Sequence, residues 1–348
     1  MHSTKLTALA GIIAFTLTGC GGESGSDSPT STTPFTLSVT DAPVDDAKEV
    51  VITFGKVALL PQDGGSPLIY DVYLTDDEGN PVDENGELLP DGADTIPLSV
   101  NLLDYQGSAS LPLIQDQVVL TGRYKLCVFA NDGDHPTHRS YVVVDEDETP
   151  ENHPGLSVKG DGACPQGVGK EDKAGVLYFN NTFNVNADSN DFAVEFDLRR
   201  GLKDASSAPD YTIQRTSVSL INTVTTGNIQ GTVAADAFTA CNTPEDSSAV
   251  QAVYLYDNTV TQENMAPIGG INVPKPITTA AVNWNQDQTA YEFSFGFIEP
   301  NRYNLGYTCT GQFDNGDENG DPVAAGFTIY KTSNDVAVTV GQDVQVTF

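Results

Sequence analysis

Basic side chains are scarce in this sequence. Its 348 residues hold 16 Lys and Arg against 48 Asp and Glu, a formal net charge of −32. That balance argues against a nucleic-acid partner and against adsorption to anionic lipid. It favours solubility, cation binding or life in salty water, and charge alone does not separate the three. Long helical periodicity is also absent, and only residues 108–114 suggest a turn or two of helix. No G-x-S-x-G elbow, H-E-x-x-H pair or P-loop occurs, so nucleophilic, zinc-hydrolase and phosphate-cradling chemistry lack their motifs. A glycosidase needs only two carboxylates, but among 48 acids nothing nominates a pair. The expectation is a protein that is not an enzyme. The five cysteines show no C-x-x-C spacing, which argues against thiol–disulfide catalysis and a zinc knuckle. The apolar run over residues 6–18 falls short of the roughly 20 residues a membrane-spanning helix needs.

What is present begins at the N-terminus. Lys5 gives a thin positive region, the apolar run follows, and Leu17-Thr18-Gly19-Cys20 closes it. This form resembles the lipobox of bacterial lipoproteins. The resemblance implies a signal peptide over 1–19, cleavage before Cys20, and acylation of Cys20. Each buried methylene contributes about 0.8 kcal/mol, so several acyl chains hold a protein on a membrane. Gly21, rather than Asp, follows the cysteine; in the sorting logic of that family this implies the outer membrane, with the protein periplasmic or surface-facing. Residues 21–34 contain no large apolar side chain. Segment 20–34 is therefore expected to be the lipidated cysteine and a flexible tether.

Four further cysteines remain: Cys127, Cys164, Cys241 and Cys309. An even count in an exported chain favours disulfides, and four cysteines allow three connectivities. A break near residue 225 leaves two on each side, which pairs Cys127 with Cys164 and Cys241 with Cys309.

The hydrophobic period is two nearly throughout, which signals strands. Phe35, Leu37 and Val39 share one face of residues 35–40, and 50–60 reads as a longer strand. Further strands are expected at 68–74, 96–104, 118–130, 176–186, 191–198 and 211–222. In 118–130, Tyr124, Leu126 and Val128 alternate with Lys125, Cys127 and Phe129. After polar 223–228 a second set follows at 229–234, 250–257, 290–298 and 302–309, with two short strands flanking Gly341-Gln342. Tyr291, Phe293, Phe295 and Phe297 fall on one face and Glu292 and Ser294 on the other; Tyr303, Leu305, Tyr307 and Cys309 also share a face. The expected fold is all-β, with two antiparallel β-sandwich-like domains over 35–224 and 225–348.

Two blocks, TLSVTDAPVDDAKEVVITFGKVAL and FAVEFDLRRGLKD…YTIQRTSVSLINTVTTGNIQGTV, resemble the DUF4382 domain of bacterial lipoproteins across roughly 35–233. The resemblance implies a β-rich exported domain and no activity. The second half carries G-x-I-x-G-T-V from Gly227 and F-x-F-x-x-I-x-P-x-x-Y-x-L from Phe293. These resemble the carboxypeptidase-regulatory or transthyretin-like β-sandwich, which implies a spacer or adhesion element. Asn301 stands where that family usually has glycine.

The strongest candidate for chemistry is the acidic loop containing Asn315, Asp317, Asn319 and Asp321. Oxygen ligands at alternate positions followed by Gly320 match the first half of a calcium loop. Gly326 occupies the position of the bidentate Glu, so a solvated hairpin is the other reading. Calcium is thus the one candidate cofactor. Loop 76–86 has similar composition. Asp132, Asp134, His135 and His138 lie together, but Pro136 prevents a helix from presenting both histidines on one face. Arg199, Arg200 and Lys203 suggest either an anionic ligand or ion pairs with surplus acids. Asp41, Asp45 and Asp46 are expected to serve turns and caps. The whole points to a lipid-anchored, non-catalytic binding or structural module of the cell envelope, stiffened by calcium. Its partners would be the membrane through its anchor, and an envelope protein or glycan. The alternatives are a glycan-binding or carbohydrate-active envelope protein, and an accessory subunit of an outer-membrane complex.

Overall fold

Apolar side chains at every second position commit a segment to a strand with one face turned to a core. In the computed structural model such segments build five sheets among the described residues. Those residues are 31–42, 47–76, 78–144, 152–158, 160, 162–204, 210–241, 249–285, 289–314 and 326–348. The first half contains β1 (Thr32–Ala42), β2 (Glu49–Pro61), β3 (Leu68–Asp71), β4 (Leu98–Asn101), β5 (Leu111–Leu120), β6 (Gly122–Asn131) and β7 (Tyr141–Val143). It continues with β8 (Leu156–Val158), β9 (Ala174–Val185), β10 (Asp191–Asp197), β11 (Leu202–Asp204), β12 (Tyr211–Ile213) and β13 (Val218–Asn222). The second half contains β14 (Gly227–Val233), β15 (Ala252–Asp257), β16 (Thr278–Ala281), β17 (Asn283–Trp284), β18 (Tyr291–Ile298), β19 (Arg302–Thr308), β20 (Ile329–Ala337) and β21 (Asp343–Thr347). Two short helices, α1 (Leu198–Gly201) and α2 (Ala235–Cys241), interrupt the strands.

In the first half a sheet ordered β13-β10-β1-β5 packs on one ordered β3-β2-β6-β9, with β4 and β7 added along β2. A short third sheet runs β11-β12-β8. Phe35, Leu37 and Val39 meet Phe54, Leu126 and Leu177 in the core between the two larger sheets. Removing one such buried ring typically costs about 3–5 kcal/mol. The central strands β2 and β6 are buried on both faces. Ala58, Leu60, Cys127 and Phe129 turn away from the main core into a second cluster beneath Cys164 and Val168. The Cys127–Cys164 disulfide, with Cα atoms 6.0 Å apart, pins that cover in place.

In the second half β17-β18-β14-β21 packs on β16-β15-β19-β20. Ile229, Phe293 and Phe295 face Val253, Leu305 and Tyr307. The Cys241–Cys309 disulfide ties α2 to the end of β19. The two bridges span 37 and 68 residues of sequence, loops whose closure is worth about 4 kcal/mol each in the chain-entropy account. On the outer face of β15 a further cluster gathers Tyr254, Tyr256, Met265 and Phe327.

Several local expectations change. Most pairings are antiparallel, but β1 runs parallel to β10, β8 to β12 and β14 to β21. Parallel neighbours require a long crossover, which alternation along the sequence cannot reveal. Segment 118–130 is two strands: β5 and β6 turn at Thr121 and enter different sheets. Segment 211–222 likewise divides at a 3-10 turn over Arg215–Ser217. The suggested helix at 108–114 is largely the start of β5, where two register shifts against β1 let consecutive Leu113 and Ile114 both be buried. Those bulges erase the period of two. Phe297 leaves the face of Phe293 and Phe295, because a bulge in β18 gives it φ 55° and turns Ile298 to the core instead. Thr32, Thr33 and Pro34, read as tether, pair with Leu120, Val119 and Val118. Asp41 is a buried residue of β1 rather than a turn residue.

Candidate functional site

Outward residues of the second half line the cleft that carries the best functional case. Alternation on β14 and β18 sends Ile229 and Phe293 inward and leaves Gln230, Thr232, Glu292 and Ser294 outward. Gln230 stands opposite Ser294 on one side and Gln345 of β21 on the other. Asn283 of β17 joins opposite Glu292. The facing wall comes from the first half: Gln106 and Gly107, in the loop before β5. Gly107 has φ +64°, and a Cβ on it would lie 2.6 Å from Ser294 Oγ. A Cβ on Gly296 would lie 2.0 Å from the Gly107 carbonyl oxygen. Loop and strand thus meet backbone to backbone, an approach that side chains would block. The resulting cleft has a volume of about 430 Å³, within the range of small-ligand sites.

A ladder of amides and carboxylates runs across the lining and beyond its edges. Asn228 Nδ2 donates to Asp343 Oδ1 at 2.8 Å, Gln230 Nε2 to Asp343 Oδ2 at 3.3 Å, and Gln345 Nε2 to Gln230 Oε1 at 3.2 Å. Asn285 Nδ2 donates to Glu292 Oε1 at 2.9 Å. The described lining residues include no Lys, Arg or His, and Glu292 is the one carboxylate among them. Hydrolysis of a glycosidic bond uses a pair of carboxyl groups; the described lining itself carries one, Glu292. Trp284, next to Asn283, is half-exposed and packs on Tyr291 at the sheet edge, while Tyr291 stacks on Phe238 of α2.

The contact that makes the cleft is reinforced by α1. Arg200 Nη2 donates to the carbonyls of Pro276 and Ile277, both at 3.1 Å. The Arg199 guanidinium is buried 6.0 Å from the Tyr254 ring centroid. Asp314 is buried beside them and accepts from Tyr254 Oη and Ile268 N, each at 2.5 Å. Burial pushes the Asp314 carboxyl up, against the opposing pull of the Tyr254 hydrogen bond and Arg199. Asp197 caps α1 by accepting from Arg200 N at 3.1 Å, and burial raises it as well. Glu195, two residues earlier on β10, is pushed to about 7 by burial. Asp197 adds to that shift, while Ser219 and Arg200 oppose it. Arg199 and Arg200, expected to hold an anionic ligand or to pair with surplus acids, lie where the two halves meet, and Arg200 pairs with Asp197 at 3.5 Å.

The other expected sites resolve individually. The cysteines pair as expected. Cys20, Asp45, Asp46 and the calcium candidates Asn315, Asp317, Asn319 and Asp321 lie outside the described residues. In loop 76–86, Asp76 Oδ1 accepts from Glu78 N and Asn80 N, and Asp83 Oδ1 from Asn85 N and Glu87 N. A side-chain hydrogen bond from Asn80 chiefly holds Asp76 below the usual carboxylate range, and the Glu87 backbone N–H does so for Asp83. Asp134 pairs with Lys173, and His135 Nδ1 accepts from His138 N at 3.1 Å. Among the described residues no three or more His, Cys, Asp or Glu are grouped to hold a metal. No described helix is long and apolar enough to cross a membrane. The sequence marked Glu292 and Ser294 as outward-facing, but the wall they share with Gln106 and Gly107 comes from distant chain and has no local signal.

A carboxylate with a raised folded pKa binds its proton more tightly when folded, so stability grows as pH falls through that value towards the unfolded one. For Glu195 the window runs from about 7 down to 4.5. Scanning calorimetry of the protein should show the melting temperature rising between pH 8 and pH 5. Glu195→Gln should flatten that rise and raise the melting temperature at pH 8; an unchanged pH profile would contradict the assignment.

Residues 32–214 match the family described as a domain of unknown function, DUF4382. No curated protein matches the chain. Among solved structures, the chain is similar to a candidate adhesin from Bacteroides ovatus at 11% identity, covering 84% of this chain and 83% of that one, with a TM-score of 0.18. It is also similar to a candidate polysaccharide-binding protein from Bacteroides thetaiotaomicron at 10% identity, covering 79% and 76%, with a TM-score of 0.18. A fimbrial protein from Bacteroides ovatus gives 10% identity, coverage of 90% and 48%, and a TM-score of 0.19. Superpositions of that quality define no shared architecture. The family match is of another kind, because it takes in more than half of the chain: the protein belongs to the DUF4382 family.

Proposed function

We propose that this protein is a non-catalytic binding module of the bacterial cell envelope, held by lipid on Cys20, with the cleft beside β14 and β18 as its recognition site. The observation that carries this reading is the described lining of the cleft: seven polar side chains with one carboxylate among them. Such a surface offers many hydrogen bonds to a ligand. The lipobox-like Leu17-Thr18-Gly19-Cys20 supports an outer-membrane anchor, after removal of 1–19. Residues 35–224 and 225–348 form the two domains on that anchor, the second of transthyretin-like kind, and calcium stiffens the loop around Asp317 and Asp321.

Gln345 is exposed on the edge strand β21, so Gln345→Trp should cover the cleft without disturbing a core. Co-sedimentation with purified cell-surface polysaccharide should retain the parent protein and lose at least tenfold in affinity with Gln345→Trp. Neither protein should release reducing ends. Release by the parent that Glu292→Gln abolishes would make the protein an enzyme. The loop proposal has its own measurement: millimolar calcium should raise the melting temperature, and the double replacement Asp317→Ala, Asp321→Ala should remove the rise. A calcium-independent melt would leave that loop as solvated hairpin.

A further inference from the structure

We propose that the cleft is built for an uncharged glycan and selects against acidic polysaccharides. This deepens the reading of the cleft as a recognition site and rests on it. Gln345, Gln230 and Ser294 stand side by side on three adjacent strands. At the usual spacing of about 4.8 Å between strands, they form a short row of groups that donate and accept. A sugar hydroxyl also donates and accepts, and an amide supplies one partner of each kind in a fixed plane. Gln106, Asn283 and Thr232 extend the same chemistry around the rim.

Charge narrows the ligand class. The described lining residues include no cation, whereas recognition of carboxylate or sulfate groups relies on Arg or Lys. Glu292 lines the cleft, and Asp343, two residues from Gln345 along β21, accepts from Gln230 beside it. Both would repel an anion. Their oxygens already accept from Asn285, Asn228 and Gln230, so each carboxylate orients amides that a neutral ligand then meets. An apolar ligand finds little purchase, because the one aromatic side chain among the described lining residues, Phe293, turns its ring into the core against Phe295 and Phe348. A basic peptide would match the charge but would leave the row of amides largely unpaired, and unpaired buried amides weaken binding.

Affinity electrophoresis of the full protein through gels containing dextran, mixed-linkage glucan, mannan or galactomannan tests the idea. Alginate, polygalacturonate and hyaluronan serve as acidic counterparts, and a lysine-rich peptide is titrated separately. The expected result is retardation by at least one neutral polymer, reduced at least tenfold in Gln345→Trp and in Gln230→Ala. Circular dichroism checks that both variants are folded, and the smaller Gln230→Ala guards against a defect specific to the Trp. No acidic polymer should bind within tenfold of the best neutral one. Binding of an acidic polymer or the peptide that both variants abolish would overturn the ligand class and leave the cleft as a binding site. Neutral-glycan binding that both variants retain would overturn the cleft as the site. Failure of every neutral polymer to bind would overturn the inference itself.

Discussion

The close approach of Gly107 to Gly296 is the contact on which the candidate site depends. A methyl group on Gly296 would collide with the Gly107 carbonyl, so the loop before β5 lies directly on strand β18. That approach turns an otherwise open polar sheet face into a cleft, because it raises Gln106 and Gly107 as a wall beside Ser294. Each half contributes a part that it could not supply alone. The first gives a loop that brings the wall and the Gln106 amide, and the second gives a row of amides with no enclosure.

Around that contact the protein uses its few cations economically. With 16 basic residues in the chain, two neighbours are set into the seam. Arg200 bonds two carbonyls of the loop before β16, and Arg199 lies buried near Tyr254 and Asp314. Removing charges from water is costly, and raised carboxyl pKa values at Glu195, Asp197 and Asp314 are the signature of that cost. Elsewhere the surplus acids take small local roles, as Asp76 and Asp83 do in holding their turns.

Much of this architecture was legible because strands announce themselves by alternation. Phe35, Leu37 and Val39 lie on the core face their spacing indicated, and so do Tyr303, Leu305 and Tyr307. The two disulfides follow from dividing four cysteines at one break. Reading failed where geometry departs from the period of two. Bulges in β5 and β18 hid a strand start and displaced Phe297; α2, at seven residues, is too short to show a helical repeat. Pairing between distant strands was equally invisible, which is why β1 beside β10 and β14 beside β21 came as findings. The cleft was half legible. Glu292 and Ser294 were placed on the outer face, but nothing near them in sequence indicates Gly107.

The most direct test of this account is a nuclear Overhauser measurement between the α-protons of Gly107 and Gly296 in isotopically labelled protein. A jointly built cleft requires that pair to give a cross-peak, and Gly107 to be slower in amide exchange than the exposed turns at Gly79 and Gly86. Absence of the cross-peak, with Gly107 exchanging as fast as those turns, would mean that the two halves do not close on each other and that the cleft is not a feature of the protein.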